Sequence, residues 1–207
     1  PWTNEIMKRF IFLSFLLVFF FKPGLPQGCL PEGITFETQD QINNFQANYP
    51  GCTEIEGDVF IGSEDGNLNI MNLQGLSCLV KIVGRLDIIG CYSIGELSGL
   101  NSLTEVGGSM EISSCTELDN LSGLNSLTHV GGGLKIALNN ILTSIEALES
   151  LIAINGDLSI ISNVTLHSLE GLNSLIIAPG SIYLSHNSYL NDITALQNIN
   201  ADSIQGY

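Results

Sequence analysis

Basic residues are scarce in this chain. Six Lys and Arg face 21 Asp and Glu, for a net charge of −15. That balance argues against a duplex nucleic-acid partner, because phosphate binding needs a basic footprint. It disfavours adsorption to an anionic membrane surface for the same reason. Charge of either sign is sparse, at 13% of residues, while apolar residues reach 44%. The surface must therefore be built mostly of Ser, Thr, Asn, Gln and Gly. Bilayer-spanning apolar runs are also missing. The longest, Phe10 to Phe21, holds twelve residues and is broken by one Ser, against the ~20 that a spanning helix needs. No Cys-x-x-Cys pair or Cys/His spacing suggests zinc, and no cofactor is implied.

The short apolar run has a different meaning. Met7-Lys8-Arg9 precedes it and Lys22-Pro23-Gly24 ends it, the layout of an export signal. Residues 1–28 are read as an upstream extension plus a signal peptide, with Met7 the candidate initiator and cleavage between Gly24 and Cys29. Cleavage directly before Cys29 would allow a lipid there, although Pro26 and Gln27 fit a lipobox poorly. Either way the mature chain is expected to be secreted or held at the cell surface, on the outer-membrane exterior if bacterial. Disulfides are permitted there.

What the chain does have is a repeat. Segments opening at Gly57, Gly84, Gly108, Gly132, Gly156 and Gly180 align, with one interval of 27 residues and four of 24. With the opening Gly as position 0, positions 2 and 4 are apolar, as in a short strand. From position 4 onward every third residue is apolar or amide: Ile136, Asn139, Leu142, Ile145, Leu148, Leu151, Ile154. A long helix would repeat at 3.6, not 3. The pattern predicts an all-β solenoid, a right-handed parallel β-helix of about six 24-residue coils. Position 15 holds only Gly or Ala (Gly75, Gly99, Gly123, Ala147, Gly171, Ala195), as where backbones approach closely. Position 7 holds Asn67, Cys91, Cys115, Asn139, Asn163 and Asn187. Stacked inward amides there would form a structural ladder on backbone groups left unpaired at a corner. Three extra residues in the loop from Ser63 bring Asn67 into register.

The x-x-N/C after each L-x-L is also the leucine-rich-repeat signature. The opening Cys29-Leu30-Pro31-Glu32-Gly33-Ile34-Thr35-Phe36 resembles bacterial secreted proteins of the receptor L-domain type. So do Tyr49-Pro50-Gly51-Cys52-Thr53-Glu54-Ile55-Glu56-Gly57-Asp58 and the repeated Leu-Ser-Gly-Leu-Asn-Ser-Leu of 97 to 103 and 121 to 127. This resemblance covers 29 to 207. It implies the solenoid fold, a surface or secreted location, and no conserved active site. Residues 29–56 are read as an N-terminal cap with a short α-helix, its capping box formed by Thr38 and Gln41. Residues 57–207 are the repeat solenoid, read as C-terminally incomplete, with a seventh coil due near Ile204.

Five cysteines remain to be placed. Cys29 and Cys52 are expected to be disulfide-bonded, tying the ends of the cap. Cys91 and Cys115 share a column in adjacent coils and are either bonded or two buried thiols standing in for ladder Asn. Cys78 falls on a turn expected to be exposed.

Little is left over for chemistry. His129, His167 and His186 fall in three columns. Asp87 and Glu111 occupy position 3 of adjacent coils, ~5 Å apart, a separation used by retaining glycosidases. The plainer reading is two solvated acids on a regular face. Ser63 to Asn67 is a weak calcium-loop candidate through Glu64, Asp65 and Asn67. The sequons at Asn120 and Asn163 are read as accidental. The expected ligand-binding face is therefore the outward side of the strands, at Phe60, Asp87, Ile89, Glu111, Lys135, Ile161 and Tyr183. This describes a non-enzymatic binding or adhesion module for an unknown protein or glycan. The alternatives are a spacer for a downstream domain and, less favoured, a carbohydrate-active enzyme. A membrane would be met only through a lipid or a missing C-terminal segment.

Overall fold

A computed structural model describes residues 28–63 and 70–200. The segment read from sequence as an export signal, the acidic loop with its Asn67, and the residues where a seventh coil was expected lie outside the described residues. The chain winds as a parallel β-solenoid with two sheets. A seven-stranded sheet stacks Ile34–Phe36, Val59–Gly62, Leu86–Ile89, Met110–Ser113, Leu134–Ala137, Leu158–Ile161 and Ile182–Ser185. A six-stranded sheet stacks the two-residue strands Gly28–Cys29, Glu54–Ile55, Lys81–Ile82, Glu105–Val106, His129–Val130 and Ala153–Ile154. Each strand pairs in parallel with its copy one coil away, as Leu134 does with Leu158 and Met110. A third flank of turns and single 3₁₀ turns closes each coil.

The three-residue rhythm is the core. Ile112, Cys115, Leu118, Leu121, Leu124, Leu127 and Val130 are all fully buried, as are their counterparts one coil on, Ile136 to Ile154. Beyond the acidic loop Ile70 and Leu73 resume the pattern, both fully buried. No coil could bury these residues alone. Stacking at ~4.8 Å places each column against its copies.

The corner after the longer strand is held by side-chain amides. Asn139 accepts from the Cys115 N–H (3.0 Å) and donates to the Ile112 carbonyl (3.1 Å). Asn163 accepts from Asn139 N–H (3.2 Å) and donates to Ile136 O (2.9 Å). Asn187 repeats both bonds one coil later, to Asn163 N–H and Ile160 O. Cys91 and Cys115 are free, fully buried thiols in the same column. Their S–H groups point at the carbonyls of Ile61 (3.6 Å) and Ile88 (3.8 Å), the acceptors an amide would use.

The residue just before the ladder is left-handed in coil after coil. Gly90, Ser114, Leu138, Ser162 and His186 have φ between 57° and 67°. Only the first is glycine, and for the others this backbone costs about 1–2 kcal/mol each. At position 15 the small-residue column divides in two. Gly99, Gly123 and Gly171 sit at φ from 110° to 118°. A Cβ on Gly99 would meet the Leu73 carbonyl of the coil before. Gly75, Ala147 and Ala195 instead lie in the 3₁₀ turns Gln74–Leu76, Glu146–Leu148 and Thr194–Asn198.

The N-terminal cap is a modified coil. It contributes a strand to each sheet, and after the second of these come two short helices, α1 (Gln39–Asn43) and α2 (Phe45–Asn48). Thr38 caps α1, its hydroxyl accepting from Gln41 N–H while the Gln41 side chain accepts from Thr38 N–H. Ile42 and Phe45 are fully buried, and Phe45 packs edge-on against Phe36 at 5.7 Å between centroids. A Cys29–Cys52 disulfide closes the cap, which occupies the sulfur that a thioether lipid would need. Cys78, expected to be exposed, is half-buried because its turn packs on the cap. Its S–H donates to Cys52 O, and burial pushes the thiol pKa up.

Replacing Asn139 with Ala leaves the Cys115 N–H unpaired in the core and takes one of two donors from the Ile112 carbonyl, at a cost of ~1–3 kcal/mol. Asn139→Cys should cost less, since two coils already use a thiol there. Urea unfolding of the two variants checks both the size and the order.

Candidate functional site

The outward side of the seven-stranded sheet is ordered by register. Position 3 gives one row, in which Thr35, Phe60, Asp87, Glu111, Lys135, Ser159 and Tyr183 lie side by side. Position 5 gives a second row of Gly62, Ile89, Ser113, Ala137, Ile161 and Ser185. The face residues named from sequence therefore share one surface, but their apolar members do not touch. Phe60 and Tyr183 stand five strand spacings apart, roughly 24 Å at ~4.8 Å each. Ile89 and Ile161 are separated by Ser113 and Ala137, both buried among longer neighbours. Tyr183 is half-exposed at the last described strand, at 50%.

The middle of the face is an ion-pair network. Arg85 Nε meets Asp87 Oδ1 at 2.7 Å, and its Nη2 reaches Glu111 Oε2 at 3.5 Å. Lys135 Nζ meets Glu111 Oε1 at 3.0 Å. Ser113 adds a hydroxyl donor to Glu111 at 2.9 Å. Two cations and two anions cancel, so this stretch is neutral although the chain is strongly acidic. The only other described base, Lys81, pairs with Glu105 across the shorter sheet at 3.0 Å.

These contacts set the carboxyl groups apart. Partial burial raises Asp87 above the usual carboxylate range, only partly offset by Arg85. Burial acts the same way on Glu111, but Lys135, Ser113 and Arg85 together outweigh it and hold this carboxyl low. Each carboxylate is engaged by neighbouring cations rather than facing a substrate cleft. The recess beside them, about 260 Å³ and lined by Arg85, Glu111, Lys135, Asp157 and Ser159, is open. The arrangement is that of a charge-balanced sheet surface.

Other side chains named from sequence are scattered. His129 hydrogen-bonds Thr128, His167 stacks on Tyr189 at 5.6 Å, and His186 sits at the left-handed corner. Among the described residues no three His, Cys, Asp or Glu gather as a metal group. The calcium-loop residues Glu64, Asp65 and Asn67 lie outside the described residues. Sequence reading missed a second ladder at position 1. There Asp58, Ser109 and Asp157 accept from the N–H one coil on, at Arg85, Gly133 and Ser181. The short oxygen-bearing side chains beside four of the six opening glycines, Asp58, Ser109, Asp157 and Ser181, were the available signal. It also missed Arg85 as part of the face, because position 1 looks sideways until a long side chain folds back.

Residues 104–201 match the family model described as Receptor L domain. The match spans the later coils, just under half of the 207 residues, and over that stretch the chain is similar to the receptor L-domain family. No curated protein and no solved structure matches the chain. Among the described residues no helix is long and apolar enough to cross a membrane.

The low Glu111 pKa carries a signed pH effect. Its stabilisation is present above the unfolded carboxylate range and is lost as pH falls through the depressed folded value. Lys135→Met should move the Glu111 titration upward by removing its shortest cationic contact. Carboxyl-carbon NMR titration of the two proteins reads this directly, and an unchanged midpoint would show that the pair is not formed.

Proposed function

We propose that this chain is an exported, non-enzymatic binding module that presents its seven-stranded sheet to a protein or glycan partner. One observation carries the reading. The inward columns are nearly invariant from coil to coil, whereas the outward row at position 3 changes at every coil. Position 3 runs from Phe through two acids, Lys and Ser to Tyr on one flat, parallel surface. Such a surface offers aromatic anchors at its two ends and matched charges between them, a pattern suited to orienting a broad partner. The match to the Receptor L domain, whose members bind protein ligands, supports a protein partner over a glycan.

A spacer would tolerate any soluble residue on these rows. A binding face would not. The double variant Phe60→Ala/Tyr183→Ala should lose at least tenfold in affinity, ~1.4 kcal/mol, for a partner captured by cross-linking at cell surfaces, with its unfolding midpoint in urea little changed. Retained affinity in that variant would exclude the face and leave the spacer reading.

A further inference from the structure

The chain carries two N-x-Ser/Thr sequons, Asn120-Leu121-Ser122 and Asn163-Val164-Thr165. Taken from the sequence alone, both look accidental. The fold treats them oppositely. Asn163 is a rung of the ladder and fully buried. Both its amide hydrogens are engaged, by Ile136 O at 2.9 Å and Ile161 O at 3.3 Å, and its oxygen accepts from Asn139 N–H. A sugar on that nitrogen would have to displace the corner of the preceding coil.

Asn120 lies on the turn flank, away from both sheets, and is partly exposed. Its oxygen accepts from Ser122 N–H at 2.8 Å, while its amide nitrogen makes no hydrogen bond among the described residues. The same turn recurs at this position of other coils. There Ser144, Ser168 and Asp192 each supply an oxygen to the N–H two residues on, at 3.1, 3.0 and 2.9 Å. A hydroxyl or a carboxylate therefore serves the fold as well as an amide, and the Asn120 nitrogen is surplus to it. Asn120 lines an open groove of about 420 Å³ together with Asp119, Ser122, Asn125, Thr143 and Glu146.

We propose that Asn120 is the acceptor of an N-linked glycan and that Asn163 is not, an inference resting on the exported location proposed above. The donor is an oligosaccharide held on a lipid diphosphate, and the catalyst is an oligosaccharyltransferase of the export compartment. Asn120 Nδ2 attacks the anomeric carbon of the sugar. The bond from that carbon to the diphosphate oxygen breaks, the lipid diphosphate leaves with the electron pair, and Nδ2 gives up one proton to a base of the transferase. The modified nitrogen stands on the turn flank, leaving the seven-stranded sheet open to a partner.

The test is expression of the full chain in cells with this transferase, both as it stands and preceded by an independent secretory leader. Material in the medium is read by mass before and after peptide N-glycosidase. The leader-bearing chain should carry one glycan, lost in Asn120→Asp, which keeps the turn oxygen, and in Ser122→Ala. It should be unchanged in Thr165→Ala, which removes the second sequon but leaves Asn163 in the ladder. An unmodified leader-bearing chain in the medium, or a glycan that survives Asn120→Asp, overturns the proposal. A glycan present only on the leader-bearing form upholds Asn120 as acceptor and counts against export by the chain's own N-terminus.

Discussion

Each coil must turn sharply directly after its longest strand, and the turn strips backbone groups of sheet partners at the edge of the core. Buried and unpaired, such groups would cost ~1–3 kcal/mol apiece. In the described coils one inward side chain meets both demands, taking an N–H and a carbonyl from the coil before. The left-handed residue ahead of it aims the chain into the ladder, even where that residue is Leu138 or His186. Once the corner is fixed, the strand before it and the rows after it fall into register. The columns of Leu, Ile and Val can then stack without gaps. The two coils with Cys show how far the rule stretches, since a thiol can donate to the same carbonyl. The neighbouring Cys115 thiol and burial hold Cys91 above the ordinary thiol range.

This constraint also confines function. Position 7, the three-residue column and the small position 15 all serve stacking, and position 1 serves a second ladder of hydrogen bonds. Position 3 of the longer strands, the larger members Ile89 and Ile161 of position 5, and the turn flank are released from these duties. On the strands, side chains vary and charges pair across coils. On the turn flank, any short oxygen-bearing side chain completes the turn at position 12. A binding face and a modification site therefore fall on different sides of one regular object, and neither disturbs the stack.

Much of this was legible in the sequence, because a solenoid writes each requirement several times. The period, the inward rhythm, the ladder column and the Thr38–Gln41 capping box need only side-chain chemistry and spacing. What stayed hidden depends on backbone angles or on the reach of long side chains. Ser114, Leu138, Ser162 and His186 share a left-handed turn that glycine would have announced, but glycine appears there only at Gly90. Gly and Ala at position 15 read as one column, yet they belong to two turn types. On the face, position numbers put Asp87 beside Glu111 correctly. They could not show that Arg85 folds back from position 1 to pair with both, which turns a suggestive acid pair into a neutral patch. Nor could they show Cys78 drawn against the cap.

The ladder can be observed one bond at a time. The amides of Cys115, Asn139 and Asn163 lie at corners, outside any strand, yet each donates to an asparagine oxygen in the next coil. Hydrogen exchange resolved to these residues should show protection comparable to strand amides such as Leu134, with the three opening together as the stack unfolds. Exchange at the rate of an exposed loop at Cys115, Asn139 and Asn163, beside slow exchange in the strands, would contradict the account that these amides hold the coils together.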